Sequence, residues 1–399
     1  MKIVVVASFA PSLVNFRGRL LESLASRGHE VIACAPEDDP GVAETLKRWG
    51  VQYRVIPMAR AGINPLADLR TLSALVRLFL RLRPGLVLAY TQKPIVYGGI
   101  AARLAAPRAR RILMCSGLGY ACTGGEGTDR LRAFVRTVMA RLFRLATARA
   151  DRVLVFNRDD GVDMRQLGMV APGQDIVQVP GSGVDVAHFG ERPLPDGPPT
   201  FLMIARLLRD KGVLDYVEAA RLVRKRHPEA RFRILGPFDP NPSAVSEREM
   251  HGWVEEGTIE YLGTTGDVRP CLAEASIFVL PSYYREGLPR STLEAMATGR
   301  AIVTTDSPGC REPVVHGDNG WLVPVRDPQS LAAHIMRFIE EPGLAARMGR
   351  RSREIAVDRY SVEHVNALLI DLMGLNEDRS PGLPIHDRPA MAASLAKQS

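Results

Sequence analysis

The feature that most limits what this chain can fold into is an alternation of short, β-branched apolar runs with helical-period segments. Lys2-Ile-Val-Val-Val-Ala7 is followed by a helical pattern from Phe16 to Arg27, closed by Gly28, and then by Glu30-Val-Ile-Ala-Cys-Ala35. Apolar runs without polar alternation are those of strands buried on both faces, and a helix between two of them makes a βαβ unit. The pattern continues with Tyr53–Pro57, a helix over Leu66–Leu82, the strand Leu86–Tyr90, a helix over Val96–Leu104 and the strand Arg111–Cys115. A long helix from Asp129 to Ala150 and the strand Arg152–Phe156 complete this half.

Glu191-Arg-Pro-Leu-Pro-Asp-Gly-Pro-Pro199 then interrupts the alternation with a composition that suits neither a helix nor an interior strand. Beyond it the alternation restarts with the strand Phe201–Ala205, the helix Val213–Arg226, and strands at Phe232–Leu235, Ile259–Leu262 and Ile277–Leu280. The helix Ser291–Thr298 and the strand Ala301–Thr305 follow. The chain therefore reads as α/β, with two Rossmann-like doubly wound domains facing across a cleft. The expected division is residues 1–190, a linker over 191–199, and 200–355. A helix over 356–375 should pack back on the first domain, and the polar, proline-rich tail over 376–399 should be disordered.

With 399 residues, 46% hydrophobic and 24% charged, the chain has material for two cores. No apolar run approaches the roughly 20 residues of a membrane span, and the N-terminus lacks a signal-peptide pattern, so a cytoplasmic protein is expected. Cys34, Cys115, Cys122, Cys271 and Cys310 are scattered, without metal-ligand spacing, and read as reduced thiols. The +8 net charge is uneven: residues 1–190 hold 26 Lys and Arg against 15 Asp and Glu. The basic half should meet an anionic surface. Its arginines stand on apolar helices without interleaved aromatics, which argues against nucleic acid.

Ligands of open parallel sheets bind beyond the carboxyl ends of strands, so chemistry is sought just after them. Pro281–Gly299 follows a strand and opens a helix; it carries Glu286 in the loop and Glu294 on the helix. Gly287 permits close backbone approach, Leu288 and Pro289 lead into the helix and Ser291 adds a hydroxyl, so free N–H groups converge where a diphosphate could bind. The two carboxylates suit neutral sugar and ribose hydroxyls. Arg206 and Lys211, in Ala205-Arg-Leu-Leu-Arg-Asp-Lys-Gly212, also sit between a strand and a helix start; two cations there call for an anion between them. Gly236 and Gly263 mark two further strand-end turns.

Arg206 with Lys211-Gly212, the Glu-x7-Glu spacing of Glu286 and Glu294, Thr305–Glu312 and Gly317–Val323 together resemble glycosyltransferase family 4. The resemblance spans residues 1 to 375. It implies the GT-B fold, retention of anomeric configuration without a metal or other cofactor, Arg206 and Lys211 on the donor diphosphate, Glu294 on the ribose and Glu286 on the transferred sugar. The Phe16-Arg17 loop, Lys93-Pro-Ile-Val-Tyr-Gly98, Ser116-Gly-Leu-Gly119 and Pro180-Gly-Ser-Gly-Val-Asp185 resemble a bacterial subgroup that extends undecaprenyl-diphosphate-linked saccharides. The chain departs from the family where a histidine in other members is replaced by Thr91-Gln92-Lys93, and no residue inherits that histidine's role.

The expectation is transfer of a hexose or N-acetylhexosamine from a UDP-sugar to a lipid-linked saccharide, with Asn15, Arg17, Lys93, Ser116 and Gly117 on the acceptor side. A nucleotide-sugar 2-epimerase and an inactive nucleotide-sugar binder are the alternatives. The arginine-rich helices over 66–82 and from 129 should attach the protein peripherally to the inner face of an anionic membrane.

Overall fold

A computed structural model describes residues 1–59, 64–118, 130–241 and 243–376, with the backbone alone over 130–135. Cys122, Gly119, Asp129 and all but the first residue of the expected tail lie outside the described residues.

The first sheet has seven parallel strands: Lys2–Val6 (β1), Glu30–Ala35 (β2), Gln52–Val55 (β3), Leu86–Tyr90 (β4), Arg110–Cys115 (β5), Arg152–Val155 (β6) and Ile176–Gln178 (β7). Their order is β3-β2-β1-β4-β5-β6-β7. The second sheet has six: Thr200–Ile204 (β8), Arg231–Leu235 (β9), Glu260–Tyr261 (β10), Ile277–Leu280 (β11), Ala301–Thr305 (β12) and Gly320–Val323 (β13), ordered β10-β9-β8-β11-β12-β13. Both sheets therefore reverse direction beside their first strand, the doubly wound arrangement that leaves a crevice at the strands' carboxyl ends.

Side-chain alternation decides the layers. Ile3 and Val5 of β1 lie in one core cluster with Leu86 and Leu88 of β4, while Val4 and Val6 lie in another with Val87 and Ala89. Helices cover both faces, which is why these strands are apolar at every position after Lys2.

The helices are Pro11–Asn15 (α1), Gly18–Ser26 (α2), Pro40–Arg48 (α3), Pro65–Leu82 (α4), Gly99–Ala105 (α5), Arg130–Thr147 (α6) and Arg158–Gln166 (α7) in the first half. Val213–Arg224 (α8), Glu247–Glu255 (α9), Arg269–Ala273 (α10), Arg290–Ala297 (α11), Pro328–Glu340 (α12), Leu344–Tyr360 (α13) and Val362–Leu372 (α14) follow.

Several boundaries differ from the sequence reading. The expected helix from Phe16 starts at Gly18, because Arg17 (φ −126°, ψ 0°) breaks the chain from a short helical turn that Pro11 opens. The helix expected over Val96–Leu104 begins as a π turn at Pro94–Gly98, since a proline suits a first turn. The third strand stops at Val55, two residues before Pro57, which has no N–H to give a ladder.

The chain crosses between the sheets twice. Residues 190–199 carry neither helix nor strand, and two arginines hold the approach: half-buried Arg353 donates to Val186 O and Phe189 O at 3.0 Å, and buried Arg300 to Pro193 O at 2.9 Å. The second crossing is at Ser361. There Val184 N donates to Tyr360 O at 2.8 Å and Val362 N to Val184 O at 2.9 Å. Val365, Leu369 and Ile370 of α14, with Met373 just after it, then complete the first-domain core with Leu20 and Leu24 of α2.

Candidate active site

The carboxyl ends of the two sheets face each other, and the loop between β11 and α11 lies where they meet. The short 3-10 turn Arg209–Lys211 is fixed to that loop because Asp210 O accepts the N–H groups of Tyr283 and Tyr284 at 2.9 and 2.8 Å. This places the Lys211 ammonium on Glu286 Oε1, which also accepts the Ser282 hydroxyl at 3.1 Å. The Tyr284 ring lies under the ammonium, 4.9 Å from its centre. Both charged side chains are largely buried, at 13% and 12% exposure, so their attraction is only weakly screened by water.

Glu294 projects from α11 and accepts from Arg290 Nε at 2.9 Å. Burial raises its pKa, and the Arg290 guanidinium opposes that rise. Arg290 also reaches the opposite domain, donating to Asn15 O with Phe16 stacked 5.3 Å from its guanidinium carbon. Pro289 is the N-cap residue of α11, and Ser291 is half-buried in its first turn.

The sequence reading placed Arg206 and Lys211 around one anion. The structure instead gives each its own carboxylate: Arg206, 46% exposed, pairs with Asp239 at 2.8 Å, while Lys211 pairs with Glu286. A ligand anion would have to replace Asp239 on Arg206.

Glycines bring the two domains into backbone contact. A Cβ at Gly287 would collide with the Ser116 carbonyl, and one at Gly117 (φ +124°) would lie 2.8 Å from Gly287 N. Ser116 and Gly117 thus pack directly on the loop that carries Glu286. Leu288 fits under Gly181, where a Cβ would lie 2.7 Å from its Cδ2. In the second domain Gly236 N donates to Gly263 O at 2.9 Å, so these two strand-end turns also join.

Among the acceptor-side candidates, Arg17 is the unusual one. It is 3% exposed, with its guanidinium carbon 5.2 Å from the Tyr90 ring centre and 5.6 Å from that of Phe156. Nη2 donates to Met114 Sδ at 2.8 Å, Nε has no hydrogen-bond partner, and no carboxylate among the described residues pairs with it. Burial lowers its pKa to about 10. Lys93 behaves otherwise: it is paired with Asp68 at 2.8 Å in a largely buried ion pair and would have to leave it to reach a ligand. Thr91, in the run that replaces the family's histidine, has φ +69° and shares a 2.8 Å hydroxyl contact with Ser8. A β-branched residue rarely adopts that backbone, so strain is held at the cleft end of β4.

Sequence reasoning missed the first-domain side of the Glu286 loop. Asn157, Asp160 and Asp163 face it: Asn157 Nδ2 donates to Gly287 O at 2.9 Å, and Arg285 contacts Asp163 and, at 3.5 Å, Asp160. Arg311 similarly pairs with Asp159 at 3.0 Å. These acidic residues belong to the run Asp159-Asp160-Gly-Val-Asp163. The signal for its true contacts was its position immediately after an apolar strand.

Two family models match the chain, glycosyl transferase 4-like domain over residues 15–182 and glycosyl transferases group 1 over 198–341. The N,N'-diacetylbacillosaminyl-diphospho-undecaprenol alpha-1,3-N-acetylgalactosaminyltransferase of Campylobacter jejuni is 28% identical over 372 residues, covering 90% of this chain and 94% of its own. Among solved structures, the sucrose-phosphate synthase of Thermosynechococcus elongatus superposes with TM-score 0.75 at 18% identity, over 93% of this chain and 98% of that one. Anabaena HepE in complex with UDP gives TM-score 0.74 at 19% identity, over 94% and 100%. The sheets, the glycine-lined meeting of their strand ends and the matched halves agree: this chain belongs to glycosyltransferase family 4 and is a glycosyltransferase of GT-B fold.

Proposed function

We propose that the enzyme transfers a hexose or N-acetylhexosamine, with retention, from a UDP-sugar to a saccharide carried on a lipid diphosphate such as undecaprenyl diphosphate in bacterial glycan synthesis. The observation that carries this reading is the Lys211–Glu286 pair beside Glu294 at the junction of the two sheets. In this reading Lys211 and Arg206 neutralise the donor diphosphate, Glu294 accepts the ribose hydroxyls, and Gly287, Leu288, Pro289 and Ser291 present the amide-rich entry to α11. Glu286 Oε2, which receives no hydrogen bond from a described residue, accepts from a hydroxyl of the transferred sugar. The acceptor oxygen bonds to the anomeric carbon as that carbon's bond to the β-phosphate oxygen breaks. The departing phosphate oxygen takes the acceptor's proton from the same face, and no metal takes part.

The acceptor side comprises Asn15, Arg17, Ser116 and Gly117. Arg17 is favoured over Lys93 as the cation for the lipid diphosphate, because a buried guanidinium without a carboxylate is costly until an anion completes it. The Campylobacter relative is named for a diphospho-undecaprenol acceptor and an N-acetylgalactosaminyl donor group, which supports the same substrate classes here.

Peripheral attachment to the inner face of the cytoplasmic membrane is supported by α4, α5 and α6, which pack side by side on one face of the first sheet. Their outer surface exposes Leu66, Leu69, Leu80, Leu104 and Leu145 among Arg70, Arg77, Arg81, Arg103, Arg141 and Arg144. No helix of the described residues is long and apolar enough to cross a membrane. Arginines with interspersed leucines suit an anionic leaflet.

The test is UDP release from a panel of UDP-sugars, in EDTA, with and without an undecaprenyl-diphosphate-linked sugar. Release that requires both partners and survives chelation supports the reading. Release from no pair despite UDP binding sinks it in favour of the epimerase or the inactive binder.

A further inference from the structure

Asn157 is completely buried at the end of β6 and caps α7, its Oδ1 accepting the Asp160 N–H at 2.7 Å. A cap needs only that oxygen, and Asp or Ser would supply it equally well. The amide nitrogen faces the other domain. Nδ2 donates to Gly287 O at 2.9 Å and Glu286 O at 3.1 Å, as well as to Asp160 Oδ2 at 2.9 Å. Two amide hydrogens thus serve three acceptors, two of them on the loop that carries Glu286.

That loop is gripped from other sides as well. Ser116 and Gly117 press on Gly287, a Cβ at Gly309 would collide with Glu286 O, and Arg285 is tied to Asp163 of α7. The Glu286 side chain is aimed by second-domain groups, Lys211 and Ser282, while the peptide that bears it is hydrogen-bonded to the first domain. The position of its carboxylate therefore depends on both domains at once.

We infer that Asn157 is a positioning residue: its side-chain amide fixes the Glu286–Gly287 peptide in the closed arrangement and so sets the aim of the Glu286 carboxylate. A separated pair of domains lacks this hydrogen bond, and Glu286 is held correctly only once the cleft has closed. This rests on the proposed role of Glu286 at the transferred sugar.

The test uses Asn157→Asp and Asn157→Ser in the full chain. Both keep an oxygen that can cap α7; Asp has no N–H to give the two carbonyls and faces Asp160 with a second carboxylate, and Ser is too short to span them with its single O–H. Misaiming a reacting group by about 1 Å costs on the order of 100-fold in rate. The expected result is a kcat lowered roughly 10- to 100-fold in both variants, with UDP affinity close to wild type. Amide hydrogen exchange over residues 284–288 should rise, because the loop has lost its partner. An unchanged kcat, an unchanged exchange rate in that loop, or UDP affinity falling as much as kcat would overturn the inference. If wild type transfers no sugar but exchange over 284–288 still rises in both variants, the substrate reading fails while the clamp stands.

Discussion

Lys211 places its ammonium on Glu286 Oε1, and the two residues come from strand-end segments some 75 positions apart that are joined through the carbonyl of Asp210. Neither side chain can be removed without leaving a largely buried charge unpaired, so the single variants should each be more damaging than a simple lost contact. Lys211→Ala and Glu286→Gln are expected to lower kcat/KM on the order of 100-fold or more. The double variant should be far less than the product of the two, since residues acting as a unit are non-additive. Steady-state UDP release from all three variants checks this; additive losses would mean that the pair does not act together.

Arg206 and Asp239 make a partly exposed pair, which in the proposed reading a donor diphosphate opens. Such pairs are worth about 0.2–1 kcal/mol, so freeing the arginine should help the ligand by a similar amount. Asp239→Asn is expected to tighten UDP binding by up to about fivefold, and Arg206→Ala to weaken it. Calorimetric titration with UDP measures both. Weaker binding in Asp239→Asn would show that Asp239 supports the site rather than competes for it.

The parallel sheets were readable because strands buried on both faces must be apolar throughout, as β4, β11 and all of β1 after Lys2 are. The place of the second-domain candidates was readable for a related reason: Lys211, Glu286 and Glu294 all lie within a few residues of a strand end or helix start, although the pairing of Lys211 with Glu286 was not. The pairings of Arg206 with Asp239 and Lys93 with Asp68 were not readable, because they join segments 33 and 25 residues apart through side-chain geometry. Nor was the clamp from Asn157, which spans 129 residues and two domains. Nothing in the local pattern distinguishes an asparagine that caps a helix from one that also grips another domain.

Asp160 supplies a pH dependence whose sign can be worked out. Burial raises its pKa from 3.8 to about 6, against the opposing effects of Asn157 and Arg285. The folded protein therefore keeps a proton that the unfolded chain has lost between pH 4 and 6. The stabilisation from this group is full below pH 4 and is lost as pH rises through 6; a shift of this size corresponds to about 3 kcal/mol. Asp160→Asn removes the titration. Urea unfolding of both proteins at pH 4 to 7 should show wild type losing stability relative to the variant by that order as pH rises. A constant difference across the range would rule out the raised pKa.

Gly287 tests the backbone contact between the domains. A methyl group there meets the Ser116 carbonyl in the closed arrangement, whereas separated domains would accommodate it. Gly287→Ala should therefore leave each domain folded and lower turnover on the order of 10-fold or more, through a misplaced Glu286. Circular dichroism and UDP release together check this; normal turnover would mean that the closed contact can yield without cost.

The outer face of α4 and α6 makes a separate prediction, independent of the chemistry. From residue 64 to 118 the one acidic residue is Asp68, which is buried against Lys93, so nothing acidic in that segment offsets its exposed arginines. Leu66 and Leu69, 80% and 62% exposed, add apolar area beside Arg70. Each basic residue near an anionic leaflet contributes about 1 kcal/mol, and the attraction falls off within a Debye length. Vesicles containing anionic lipid should sediment the protein at low salt and release it progressively as salt rises. Arg77→Glu with Arg81→Glu should weaken that binding by roughly 10-fold or more, because each reversal both removes an attraction and adds a repulsion. UDP binding, which the proposed reading assigns to the second domain, should stay as in wild type. Equal sedimentation with neutral vesicles, or no effect of the two reversals, would mean that this face serves some purpose other than holding the enzyme at a membrane.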